Sequence, residues 1–161
     1  EYLIKREPPL IDEYIDLPSQ LQVHGFDLTV KEIARFCSMG AIGLVSDDTV
    51  LPKTEIIPLS EDEGITISPG SYRITFNEMV NLPLSFMALG RPRSTLLRSG
   101  VAIHTAVWDA GYQGRSQALM VVSNPYGYQI CKNARLMQLI FIRLTKPLDE
   151  GYKGRYQNEV G

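Results

Sequence analysis

Ile65-Thr66-Ile67-Ser68-Pro69-Gly70-Ser71-Tyr72-Arg73-Ile74-Thr75-Phe76 is the stretch that decides the fold class. Two runs rich in β-branched and aromatic residues flank a Ser-Pro-Gly turn signal, which predicts two strands around a turn. Working outward, short strand patterns recur at Leu84 to Leu89, Val101 to Val107, Ala118 to Val122, Gln129 to Cys131 and Leu136 to Leu144, bounded by Gly, Pro or Asn. Many short strands with turn signals and no alternating helices predict an all-β barrel or sandwich. One segment carries two patterns. Thr29-Val30-Lys31-Glu32 has the form of a helix capping box, with Ile33, Ala34, Phe36 and Cys37 at helical spacing before Gly40. Phe26, Leu28 and Val30 nevertheless alternate as in a strand, and strand is the expectation. With no internal repeat or linker, the 161 residues are expected to form a single domain. Its last stretch, residues 149–161, is polar and Gly-spaced, as in a frayed terminus or a flexible lid that orders over a ligand.

Composition narrows the class further. Apolar residues at 44% and charged residues at 21% are ordinary globular values and exclude wholesale disorder. The longest apolar stretches, Ala118 to Val122 and Leu139 to Ile142, fall far short of the roughly 20 residues that cross a bilayer. Glu1-Tyr2-Leu3-Ile4-Lys5-Arg6-Glu7 lacks an apolar signal core, so a soluble, cytoplasmic chain with no membrane partner is expected. Two Cys and two His are too few for a disulfide framework or a thiolate-rich zinc cage, and Cys37 and Cys131 are expected to be small core residues. The net charge of −2 hides an asymmetry. Residues 1–78 carry 14 acids against six bases, whereas residues 79–148 carry eight bases and one acid, Asp109. Such a segment either binds an anion or pairs its bases with the acidic first half.

Three blocks in the basic half carry candidate chemistry. Gly90-Arg91-Pro92-Arg93-Ser94-Thr95-Leu96-Leu97-Arg98-Ser99-Gly100 gathers guanidiniums and hydroxyls that suit an oxygen-rich anion, as would any basic surface loop. Trp108-Asp109-Ala110-Gly111-Tyr112-Gln113-Gly114-Arg115 holds the one carboxylate of this half, either a general base on water or a turn Asp. Asn133-Ala134-Arg135-Leu136-Met137-Gln138-Leu139-Ile140-Phe141 is a turn entering an apolar strand in which the amide of Gln138 needs partners. No G-x-x-x-x-G-K-[ST] loop and no zinc deaminase signature occur, and the basic residues do not interleave with aromatics as a nucleic-acid groove requires.

Taken in order, these blocks resemble the homotrimeric dUTPase and dCTP deaminase superfamily. Gly25-Phe26-Asp27-Leu28 is similar to its first motif, and Arg93-Ser94-Thr95-Leu96 with Arg98 to its second. Asp109-Ala110-Gly111-Tyr112-Gln113-Gly114 is similar to the third, Arg135 to Phe141 to the fourth, and Arg155-Tyr156-Gln157 to the closing tail motif. The resemblance implies a jelly-roll-like distorted barrel of the β-clip type, assembled as a trimer with sites between subunits. It implies a dUTP pyrophosphatase that forms dUMP and pyrophosphate, with Mg²⁺ bridging the triphosphate and held by no protein side chain directly.

Carried over by position, Asp109 would orient the attacking water, with Ser94 beside it in catalysis. Arg93, Ser94, Thr95 and Arg98 would hold phosphates, and Gln138 would support the nucleotide or water. Tyr112 would pack on the deoxyribose, the His104 to Val107 hairpin would meet uracil through its backbone, and Tyr152, Arg155 and Gln157 would close from the tail. The deaminase branch of the resemblance places a Glu five residues after the third motif; here that position is Leu119, which favours hydrolysis without deamination. Pro92 and Glu159 depart from the deaminase-branch pattern, Glu159 standing where Gln is typical. A dCTP deaminase and a non-catalytic deoxynucleotide-binding regulator of the same fold are the alternatives.

Overall fold

A computed structural model describes residues 6–60 and 62–160, so Glu1 to Lys5 of the N-terminal run lie outside the described residues. In chain order the strands are β1 (Ile11–Asp12), β2 (Leu21–Gln22), β3 (Gly25–Phe36), β4 (Thr54–Ile57), β5 (Ile65–Ile67), β6 (Gly70–Asn81), β7 (Phe86–Pro92), β8 (Val101–His104), β9 (Gln113–Val122), β10 (Tyr128–Ile130) and β11 (Arg135–Arg143). Two short helices join them, α1 (Leu17–Gln20) and α2 (Ser94–Arg98). The architecture is all-β and jelly-roll-like, as expected. A nine-stranded sheet runs β7-β11-β3-β6-β9-β8, with β1 on β6 and β2 and β4 on β3; β5 and β10 form a separate pair.

The 12-residue β3 holds this sheet together, and the capping-box pattern inside it does not form a helix. Its first half pairs with β11, Asp27 opposite Gln138; its second half pairs with β6, Ile33 opposite Ile74. A register shift between Val30 and Glu32 marks the handover, where the strand bends between layers. Gly25 is required by close approach: a Cβ there would overlap the carbonyl oxygen of Leu139. The apolar residues of both halves turn inward, so Phe26, Leu28, Ile33, Ile74, Phe76, Met120, Leu136 and Leu139 form one buried core.

One expectation is corrected, and two elements are placed more closely. Ile65–Ile67 and the strand after it flank the turn as expected, and each pairs elsewhere: β5 with β10, and β6 with β3 and β9. Ser68-Pro69-Gly70 is therefore a corner between sheets, held by the Tyr72 hydroxyl donating to the Ser68 carbonyl at 2.9 Å. Pro69 cannot donate to a ladder, which disfavours continuous pairing through the turn. The second motif includes the single-turn helix α2, whose Leu96 is buried against the core. Cys37 is exposed and Cys131 only partly buried, so neither is a core residue; Cys37 follows the edge of β3 where the strand leaves the barrel.

Behind β3 lies a buried carboxylate. Glu78 accepts from the Gln20 amide, from the Thr29 backbone N–H at 2.9 Å and from the Thr29 hydroxyl. Burial pushes its carboxyl up, and the Thr29 and Gln20 hydrogen bonds pull it part of the way back. Phe76 fills the core at 0% exposure. Its truncation to Ala is expected to cost about 3–5 kcal/mol, seen as a lower denaturant midpoint at unchanged slope.

Candidate functional site

A cavity of about 540 Å³ opens where the third motif meets β9. Its wall includes Asp109, Tyr112, Trp108, Ser116, Gln117, Arg73 and, from the C-terminal segment, Tyr152, Tyr156 and Glu159. Local structure explains this convergence. Tyr112 N–H bonds the Asp109 carbonyl at 3.1 Å, closing a turn that leaves Asp109 exposed and buries Tyr112. Gly111 sits at φ +85° in that turn, and its missing side chain makes room for Gly151: a Cβ would lie 2.6 Å from the Gly151 Cα. Trp108 is fixed by its indole N–H, which donates to Ser116 Oγ at 2.6 Å.

The tail lies along this turn. Tyr152 N–H bonds the Ala110 carbonyl at 2.8 Å, and its ring meets Tyr112 edge-on at 5.8 Å. Gln157 accepts from the Gln113 N–H at 3.0 Å and donates to the Gly111 carbonyl at 3.0 Å. Gly114 and Glu159 form an isolated bridge, the Arg115 N–H bonding the Glu159 carbonyl at 2.7 Å. The Arg115 guanidinium adds a clamp on the Val160 carbonyl and the Glu13 carboxylate. Arg155 instead points away, its Nη1 reaching the Thr49 carbonyl at 3.5 Å.

Tyr112 and Glu159 share a hydrogen bond, phenol donating to carboxylate at 2.9 Å. Burial, with the Glu159 charge behind it, pushes the Tyr112 phenol up, so it remains a neutral donor. Burial also pushes the Glu159 carboxyl up, against the hydrogen bond from Tyr112. A docked tail therefore binds a proton more readily than a free one.

The remaining sequence candidates sit elsewhere. Arg93, Ser94, Thr95, Arg98 and Gln138 line none of this cavity. Arg93 precedes α2 at its N-terminal end, with Ser94, Thr95 and Arg98 exposed, and Gln138 lies opposite Arg91 on one side and Asp27 on the other. The Asp27 carboxylate, 3% exposed, faces Arg93 Nε at 3.3 Å and Arg135 Nη1 at 3.5 Å. Burial pushes its carboxyl up and the two guanidiniums pull it down, so the three form one charge cluster. One chain thus carries two separate features: a cavity with a carboxylate in its lining, and an arginine- and hydroxyl-rich surface around α2. The sequence reading missed Arg73 and Gln117, which lie in strands read only for fold; Arg73, the cation in an otherwise β-forming run, was the available signal. His24 and His104 are exposed.

Residues 3–144 match the family described as dCTP deaminase-like. The chain is 43% identical, over 98% of its length and 92% of the relative, to a protein of Methanosarcina mazei named probable deoxyuridine 5'-triphosphate nucleotidohydrolase. A relative of the same name from Archaeoglobus fulgidus is 43% identical over 98% of this chain and 91% of its own. Among solved structures, a 2'-deoxycytidine 5'-triphosphate deaminase from Agrobacterium tumefaciens superposes with TM-score 0.59 at 21% identity. That match covers 86% of this chain, which spans 44% of the deaminase, and it speaks for the fold alone.

The raised titration of Glu159 sets a pH prediction. Tail docking tightens as pH falls toward the raised carboxyl range and loosens above it, because the docked state gains the proton. The amide resonance of Arg115, bonded to Glu159, should follow this titration, and Glu159→Gln should flatten it.

Proposed function

This chain belongs to the dCTP deaminase-like family, and within it we propose that it is a dUTP pyrophosphatase, converting dUTP to dUMP and pyrophosphate. The observation that carries this reading is the cavity in which Asp109 and Tyr112 stand together. Its size suits a nucleoside, and its lining holds two carboxylates, Asp109 and Glu159, against one cation, Arg73. Such a lining cannot neutralise a triphosphate by itself. The cations that can do so, Arg93 and Arg98 with the Ser94 and Thr95 hydroxyls, lie on the other half-site. The complete site is therefore built by docking the α2 surface of one protomer against the cavity of another, most simply in a closed homotrimer.

In this site Tyr112 packs against the deoxyribose, and the segment through Ala106 and Val107 faces the base. Asp109 orients a water toward the α-phosphorus and accepts its proton as the new P–O bond forms. The bond from that phosphorus to the α,β-bridging oxygen breaks, and pyrophosphate departs with the electron pair, its charge met by Arg93, Arg98, Ser94 and Thr95. Asp27 holds Arg93 and Arg135 in place, and Gln138 extends the same surface toward the nucleotide. The tail segment 149–161 serves as the lid, Tyr152 and Gln157 fastening it over the third motif while Arg155 swings toward the phosphates.

Mg²⁺ fits this donor set as a cation brought by the nucleotide. No group of three or more His, Cys, Asp or Glu side chains that could cage a metal occurs among the described residues, and a hard cation takes phosphate and water oxygens readily. When bound, it supplies charge neutralisation along the triphosphate. Deamination lacks its agent: Leu119 stands across the ladder from Arg73 and His104, and the Glu32 carboxylate is held by Arg73 at 2.7 Å. No helix among the described residues is long and apolar enough to cross a membrane, in keeping with a cytoplasmic enzyme.

Pyrophosphate release from dUTP with Mg²⁺ tests the reading. Asp109→Asn should lose about 10²-fold or more of the rate, and Arg98→Ala should also be impaired. Co-refolding the two variants should restore roughly a quarter of wild-type activity, since random assembly pairs an intact cavity with an intact α2 surface that often. Ammonia release from dCTP, or tight dUTP binding without turnover, would contradict the proposal.

A further inference from the structure

Among the described residues that line the cavity, one is a cation. Arg73 lines it, with Nη2 bonded to Glu32 Oε1 at 2.7 Å, which fixes the side chain on the face of β6. Its Nε is buried and has no partner; Thr75 Oγ1, two residues along the same face, is buried and unpartnered as well. Thr75 lies behind the cavity wall, whereas Arg73 is in it, and an arginine donor left unpaired is costly, so the guanidinium points to a ligand acceptor beside it. The ladder fixes their place: Thr75 lies opposite Gln117 and Arg73 opposite Leu119 on β9, whereas Gly114 of β9 bridges Glu159 beside Tyr112.

We propose that Arg73, locked by Glu32, determines base specificity by donating to the 4-keto oxygen of the pyrimidine. This rests on the dUTP reading and deepens it. An arginine has donors and no acceptor, so it welcomes a carbonyl oxygen and opposes an amino group, whose hydrogens would face its own. Uracil presents oxygen at position 4 and cytosine presents an amine. The neighbouring Gln117 amide cannot make this distinction, because rotating it by half a turn exchanges donor and acceptor. The Thr75 hydroxyl adjusts to its neighbours in the same way, which leaves the fixed guanidinium as the group that sets the sign.

Steady-state kinetics on the full chain with dUTP and dCTP, scored as pyrophosphate release, test this directly. Arg73→Met should raise KM for dUTP by about 10-fold or more, in keeping with loss of a charge-assisted hydrogen bond, with kcat little changed. The ratio of kcat/KM for dUTP over dCTP should fall by a similar factor, and Arg73→Lys should recover part of it. An unchanged ratio, or an equal fall in kcat on both nucleotides at constant KM, would overturn the inference. Calorimetry on the unmodified chain provides a second arm that needs neither turnover nor a variant. dUMP should bind about 10-fold tighter than both dCMP and the deoxynucleotide of 2-pyrimidinone, which lacks the 4-oxygen. Equal affinities would sink the role of Arg73, whereas a preference for dUMP in a chain inactive on dUTP would sink the hydrolase reading and leave the specificity assignment standing.

Discussion

The backbone ladder of β3 is the constraint on which the rest of the molecule depends. Because this one strand pairs with β11 along its first half and with β6 along its second, it joins two regions that sequence keeps far apart. The first half sets Asp27 opposite Gln138 and within reach of Arg93 and Arg135. The second half carries Glu32 to Arg73 and, through β6, to the cavity along β9. Both half-sites are thus referenced to one element, and the bend between Val30 and Glu32 fixes their relative orientation.

Charge follows the same division. The basic half of the chain supplies the α2 surface and the acidic half supplies much of the opposing framework, including Glu13 on Arg115 and Asp27 on Arg93 and Arg135; Glu32 on Arg73 is a pair within the acidic half. Several bases are therefore internally paired, as the pairing alternative expected, while Arg98 and the α2 hydroxyls remain exposed. Partly buried ion pairs of this kind contribute less to net stability than to fixing geometry. At Arg73 and Arg93 that geometry is what the proposed specificity and phosphate-binding roles need.

Much of this was legible in the sequence. The strands within the basic half were visible because Gly and Pro bound short β-forming runs, and β3 betrayed itself through the alternation of Phe26, Leu28 and Val30. Pairing was not legible. Ile65–Ile67 and Tyr72–Phe76 look like hairpin partners locally, yet each finds a distant strand, since burial of Ile67 and Ile74 is decided by the whole core. The single turn of α2 carries too few residues to show a helical period. The third motif was recognisable as a block, but its cavity partners Arg73 and Gln117 come from other strands, where the lone cation of the β6 run was the one local signal and Gln117 had none. The docking of the tail depends on Gly111 and Arg115, whose long-range contacts have no signature in the tail itself.

The central claim is that a nucleoside cavity on one protomer is completed by the α2 arginines of another. A crystal structure with the α,β-imido analogue of dUTP addresses it most directly. The account predicts the sugar against Tyr112, the base toward Arg73, and the phosphates on Arg93, Ser94 and Arg98 from a neighbouring chain. Phosphates bound by the same chain that holds the sugar, or an analogue seated outside this cavity, would contradict it.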